Sequence, residues 1–135
     1  MGADHTKKTQ MGTDFLYKDL TYEIIGALFE VHKNLGPVHK ENIYHEAIKI
    51  EFTLRKIPFE EEKTLEVFYK DQKIGTYRPD FIIDDKVILE VKAVPRLAKA
   101  MVDQMYYYVR GSRYKIALLA NFGEGRLVVK RRIYT

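Results

Sequence analysis

Asp80 and Glu90 are carboxylates ten positions apart, and Lys92 follows Glu90 by two. Residues two apart on a strand point to one face, so Glu90 and Lys92 share a side. They interrupt Val87-Ile88-Leu89-Glu90-Val91-Lys92-Ala93-Val94, a run otherwise apolar enough to be buried on both faces. Charges in such a place are costly unless they are paired or bind a metal. Carboxylate oxygens suit a hard divalent cation, Mg²⁺ or Mn²⁺, that keeps several waters. Such a cation activates water and offsets charge on a phosphate. Lys92 could hold the attacking water or neutralise charge as a pentavalent phosphorus forms. Asp80, Glu90 and Lys92 are therefore candidate catalytic residues for phosphodiester hydrolysis.

Further candidates sit on helical patterns. Glu41 has Tyr44 at i+3 and His45 at i+4. Its carboxylate could join Asp80 and Glu90 on the metal, or complement the helix dipole. Gln104 and Tyr108 are i, i+4 neighbours, an amide and a phenol suited to bonding a metal-bound water, a phosphate or Lys92. Tyr44 and Tyr108 at this spacing fit a core better than a catalytic role. His5, His32, His39 and His45 lack zinc-site spacing and read as structural or surface residues. Arg96, Lys99, Arg110, Arg113 and Lys115 flank the later helix, and Lys130-Arg131-Arg132 lies in the last strand. These residues are candidate phosphate contacts.

Positioning these residues takes a mixed set of elements. A polar segment over residues 1–14 reads as a tail, and residues 15–135 as one domain. Apolar spacing predicts a helix from Thr21, as N-cap, to about Asn34, with Ile24, Ile25, Leu28, Phe29, Val31 and Leu35 in its stripe. A second helix is expected over about 40–55, then strands over 64–69, 74–83 and 87–94. A helix over 97–110 and strands over 114–120 and 126–133 complete the order. Gly123-Glu124-Gly125 reads as a hairpin turn.

Strand parity makes a sharper demand. If Asp84-Asp85 were a two-residue turn, Asp80 would oppose Leu89 and lie on the face away from Glu90. For the two carboxylates to meet, the connection must hold an odd number of residues, or a strand must bulge. Asp tolerates the left-handed backbone that a three-residue loop requires.

Composition narrows the class. The chain has 135 residues, a formal net charge of +4, and no Cys, which excludes disulfides and thiolate metal sites. No apolar run is long enough for a membrane span, and no signal-peptide core is present, so a cytoplasmic location is expected.

With Pro79, Asp80, Glu90 and Lys92 in the motif positions, the chain resembles the PD-(D/E)xK nuclease superfamily. Leu35-Gly36-Pro37, Glu41-Asn42-Ile43-Tyr44, Tyr77-Arg78-Pro79-Asp80, Glu90-Val91-Lys92, Gln104 with Tyr108, and Leu118 through Gly123 resemble its prokaryotic GxxExxY branch. Val38 stands where the first Gly of that branch's motif falls, so the loop before the second helix is expected to differ. The resemblance implies an α/β fold of restriction-endonuclease-like type, a mixed central β-sheet flanked by helices. It also implies a Mg²⁺- or Mn²⁺-dependent nuclease, with a Gln on the later helix accompanying the site. DNA is the expected partner rather than RNA, bound through backbone or shape, and a homodimer is a weaker expectation. The alternatives are a non-catalytic nucleic-acid- or protein-binding module on the same fold, and an enzyme acting on a small nucleotide.

Overall fold

The computed structural model describes residues 16–134, so the expected tail and His5 lie outside the described residues. Helix α1 (Lys18–Leu35) buries Ile24, Leu28 and Val31 along one side. It begins before Thr21, which is not its N-cap: Thr21 lies inside the helix and is buried. Phe29, expected in the stripe, is 52% exposed. Gly36, at φ 69°, stops the helix in a left-handed conformation that suits glycine. Helix α2 (Glu41–Leu54) follows and buries Tyr44, Ile48 and Phe52.

The strands are β1 (Phe59–Glu61), β2 (Leu65–Tyr69), β3 (Gln72–Tyr77), β4 (Phe81–Ile83) and β5 (Val87–Lys92). After α3 (Lys99–Arg110) come β6 (Ile116–Asn121) and β7 (Val128–Ile133). Five strands form one sheet in the order β1-β4-β5-β6-β7. Only the β5–β6 pair is parallel, which is the pair that α3 connects. On one face Phe81, Leu89, Val91 and Leu118 pack against α1 and α2. On the other, Ile82, Ile88, Ala117 and Leu119 pack against Val102, Met105 and Val109 of α3 and Leu65 and Val67 of β2. This is the expected mixed sheet flanked by helices.

Two differences from the sequence reading matter to the site. A short strand, β1, follows Pro58 and forms one sheet edge. The single strand expected over 74–83 is two strands in two sheets, broken at Arg78-Pro79-Asp80. Pro79 has no N–H to give a ladder, so the chain leaves the β2–β3 hairpin and enters the main sheet there.

The parity condition is met. Ile83 pairs with Val87, so Asp84, Asp85 and Lys86 form a three-residue loop. Asp84 and Asp85 take φ values of 51° and 52°. The register Phe81↔Leu89, extended by one residue, sets Asp80 across from Glu90.

Candidate functional site

Asp80 sits where β4 gives out before β5 does. Its Oδ2 accepts the Val91 N–H at 2.7 Å, in the place a strand partner would take. Its Oδ1 lies 3.2 Å from Nε2 of His45, one turn after Glu41 on α2. Glu41, His45 and Asp80 each offer a ligand atom, and these atoms lie within 4.8 Å of one another. His45 therefore belongs to the site and is not a bystander as its spacing suggested. The signal available in the sequence was its i+4 relation to Glu41, which puts both on one helix face.

Glu90 meets Asp80 from the strand, outside that three-residue cluster. Its Oε1 accepts the Asp80 N–H at 3.4 Å, and its Oε2 accepts the Tyr77 hydroxyl. Tyr77, the last residue of β3, stacks on Tyr108 of α3 with centroids 4.0 Å apart. Tyr108 thus reaches the carboxylate through Tyr77, a residue the sequence reading did not single out for chemistry. Gln104, one turn earlier on α3, is exposed and has no side-chain hydrogen bond among the described residues. Lys92 is half-buried on the Glu90 face of β5, and its charge reaches Glu41. The Phe122 N–H donates to the Lys92 carbonyl at 2.8 Å and fixes the end of that strand.

The titratable groups are driven apart. Burial pushes the Glu90 carboxyl up to about 7, and the charge of Asp80 adds to the rise. Burial also opposes ionisation of Asp80, but hydrogen bonds from His45 and Val91 outweigh it and hold Asp80 below the usual range. The bond to Asp80 raises His45, against the burial that lowers it. Burial, then the charge of Asp80, raises Glu41, while Lys92 and His45 counter the rise. Glu90 and Asp80 therefore differ in proton affinity at neutral pH, a common feature of functional sites.

The site opens to a cleft of about 420 Å³ lined by Glu41, His45, Glu46, Glu61, Glu62 and Asp80, among others. Its donors are oxygens with one imidazole nitrogen, a set that suits Mg²⁺ and more so Mn²⁺. Lys49 pairs with Glu46 and Glu61, and Arg78 with Glu62, so part of this acidic lining is already neutralised.

A buried hub stiffens this end of the sheet. Asn121, 0% exposed, accepts from the Val94 and Gly123 N–H groups and donates to the Val94 carbonyl and to Glu124 Oε2. The same Glu124 oxygen takes the Leu97 N–H at 3.3 Å. A Cβ at Gly123 would meet the Val94 carbonyl oxygen at 2.3 Å, so glycine is required there for the approach. The turn expected at Gly123-Glu124-Gly125 thus also pins the segment leading from β5 to α3.

Tyr44 is a core residue. It stacks on Phe122 at 4.7 Å and donates to the Gly36 carbonyl, while the His39 N–H donates to its oxygen. Val38 is 80% exposed in that loop. His32 is buried with Nε2 3.0 Å from the Glu124 carbonyl, a structural contact.

The expected phosphate contacts are not gathered at the carboxylates. Arg113 pairs with Asp85 in the β4–β5 loop at 2.6 Å, at the opposite end of β5 from Glu90. Arg110 and Lys115 flank it, both exposed. Lys99 is held by Asp103 at 2.7 Å, with Arg132 close enough to repel it. Arg96 and Lys130 are exposed.

Among the described residues, no helix is long and apolar enough to cross a membrane. A comparison with curated proteins and one with solved structures each gave no match. A family model described as the PD-(D/E)XK nuclease superfamily matches residues 18–133. That span runs from α1 to the end of β7 and includes Glu41, Asp80, Glu90 and Lys92, so the chain belongs to the PD-(D/E)XK nuclease superfamily.

Proposed function

We propose that this protein is a metal-dependent nuclease that hydrolyses phosphodiester bonds in DNA. The observation that supports this most is the meeting of Asp80, Glu90, Glu41 and His45 where β4 ends, through contacts from two strands and a helix. Asp80 and Glu90 would hold Mg²⁺ or Mn²⁺ with Glu41 joining from α2, while His45 orients Asp80. When bound, the cation supplies an activated water and stabilises charge on the phosphate.

The chain's own groups do the positioning. Val91 and His45 fix both oxygens of Asp80, so its carboxylate is oriented before substrate arrives. Tyr77, braced by Tyr108, orients Glu90. Lys92 orients the attacking water or counters charge on the phosphoryl oxygens. Gln104 is free on the same helix as Tyr108 to bond the scissile phosphate. Cutting both strands of a duplex takes two such sites, and a homodimer, read by light scattering, is the state expected on duplex DNA.

The test is cleavage of labelled DNA and RNA of several shapes with Mg²⁺, Mn²⁺ or chelator. Metal-dependent cleavage of DNA by the wild type and none by Asp80→Ala is the expected result. Binding without cleavage under every metal would make the protein a binding module instead. The cation should also raise the melting temperature of the wild type and not of the Asp80→Ala, Glu90→Ala double variant.

A further inference from the structure

A second cleft lies between the β2–β3 hairpin and the turn from α3 into β6. It encloses about 370 Å³. Leu65 and Phe68 line one side, and Ser112, Arg113 and Tyr114 the other. Phe68 is 51% exposed despite being aromatic. The Arg113 guanidinium sits 4.5 Å from the centroid of the Tyr114 ring and is fixed by Asp85 at 2.6 Å. An aromatic ring facing a flat cation across an open slot suits a flat, polarisable guest.

Charge says which guest. Arg113 lines the cleft, and Arg110 and Lys115 flank that lining segment. Asp85 pairs with Arg113 and the Glu66 of the lining is paired within its own hairpin, so Arg110 and Lys115 carry the net charge. All three basic residues are exposed. A planar guest attached to phosphates fits both properties, and that is a base in a polynucleotide strand. Spacing agrees. Asp85, which holds Arg113, precedes Glu90 by five positions. At ~3.3 Å per residue that is a contour of roughly 16 Å. Nucleotides stacked as in a duplex rise ~3.4 Å each, so at most about five span that length.

We propose that this cleft is a slot for an unpaired nucleobase, at most about five nucleotides from the phosphate held at Asp80 and Glu90. The proposal rests on the nuclease reading of that site and names the form of nucleic acid it takes: a strand with at least one accessible base.

The chain has no Trp, so Phe68→Trp places a lone fluorophore in the slot. With Ca²⁺ replacing the catalytic cation, a 12-nucleotide single strand should quench its emission. A strand of equal length built from abasic units carries the same phosphates and should not. Phe68→Ala should weaken binding of the normal strand about tenfold and leave the abasic strand unchanged. Deoxy and ribo strands are compared side by side, and quenching by either one meets the expectation. Equal quenching by normal and abasic strands overturns the slot, as does equal affinity of Phe68→Ala and wild type. Emission that depends on protein concentration alone assigns the cleft to a second copy and also overturns it. Mn²⁺-dependent hydrolysis of bis(p-nitrophenyl) phosphate reads the carboxylate site separately, because that molecule is too small to reach the slot. No hydrolysis sinks the nuclease reading; hydrolysis without base-dependent quenching sinks the slot alone.

Discussion

The two ends of β5 differ in charge and in what they can do to a phosphate. Beyond Glu90 the opening is lined by Glu41, Glu46, Glu61, Glu62 and Asp80, with His45 among them. Before Val87 the surface carries Arg110, Arg113 and Lys115 together with Asp84 and Asp85, the latter paired with Arg113. On the proposed function, the basic end would draw in a polynucleotide and the acidic end would need a cation to hold its phosphate. Attraction and chemistry are thereby assigned to different places, and losing one need not abolish the other.

The largest effect should come from Asp80→Ala. It removes the acceptor for Val91, the partner of His45 and a ligand atom together. Cleavage should fall by at least about a thousandfold, the order expected for several kcal/mol of transition-state stabilisation. Affinity for DNA without metal should hold or rise, because a negative charge has gone from the acidic end. Rates and dissociation constants measured on the same preparation decide this. A parallel loss of binding and cleavage would break the division between the ends.

The ends are also locked differently. Asn121 is fully buried, and both atoms of its amide are used twice. Asn121→Ala should cost about 2–4 kcal/mol in urea unfolding, because it strands several buried backbone groups. At the other end the Asp85–Arg113 pair is exposed on both sides, and Arg113→Ala should change stability by less than about 1 kcal/mol. Comparable losses from the two variants would mean that both ends are equally buried in practice.

The fold and the carboxylates were legible in the sequence because they follow from period and parity. Glu90 and Lys92 share a face by strand alternation, and the requirement for an odd loop was met by Asp84-Asp85-Lys86. His45 was only partly legible: its i+4 relation to Glu41 puts both on one helix face, but its meeting with Asp80 depends on α2 crossing the end of β4. Tyr77 was hidden for a similar reason. It ends a hairpin in a different sheet, and only the break at Pro79 turns its hydroxyl toward Glu90. The basic residues divide between the two ends of α3, with Arg96 and Lys99 at its start and Arg110, Arg113 and Lys115 at its end. Asn121 was quoted as part of a motif, but its four bonds need the segment around Val94 and Leu97 to be in place.

A smaller effect is expected from reversing charge at the basic end. Arg110→Glu with Arg113→Glu should weaken DNA binding about tenfold at low salt. It should also flatten the salt dependence by roughly two phosphate contacts, ~0.9 in the log–log slope for each. Hydrolysis of bis(p-nitrophenyl) phosphate should not change. If that small-substrate rate falls as well, the basic end is part of the chemistry.

The last effect is a pH dependence of stability carried by Glu90, which tests whether the acidic end is strained. Its carboxyl is pushed up to about 7 by burial, and by the charge of Asp80, from an ordinary value near 4.5. Between those two values the folded chain binds more protons than the unfolded one, so stability falls as pH rises. Below 4.5 the carboxyl is protonated in both states, and above 7 it is ionised in both, so its contribution is flat outside the window. His45, raised by Asp80, adds a loss of its own as pH climbs past its folded value. Subtracting the Glu90→Gln variant, which keeps an acceptor for Tyr77 without the charge, separates the two. The metal-free variant should match the wild type near pH 4.5 and exceed it by about 1–2 kcal/mol at pH 8. Mn²⁺ at pH 8 should then stabilise the wild type and do less for the variant, narrowing or reversing the gap. Urea melts at four or five pH values measure both. If the two metal-free profiles run parallel from pH 5 to 8, Glu90 is not strained, and the repulsion at this end must lie among the exposed glutamates instead.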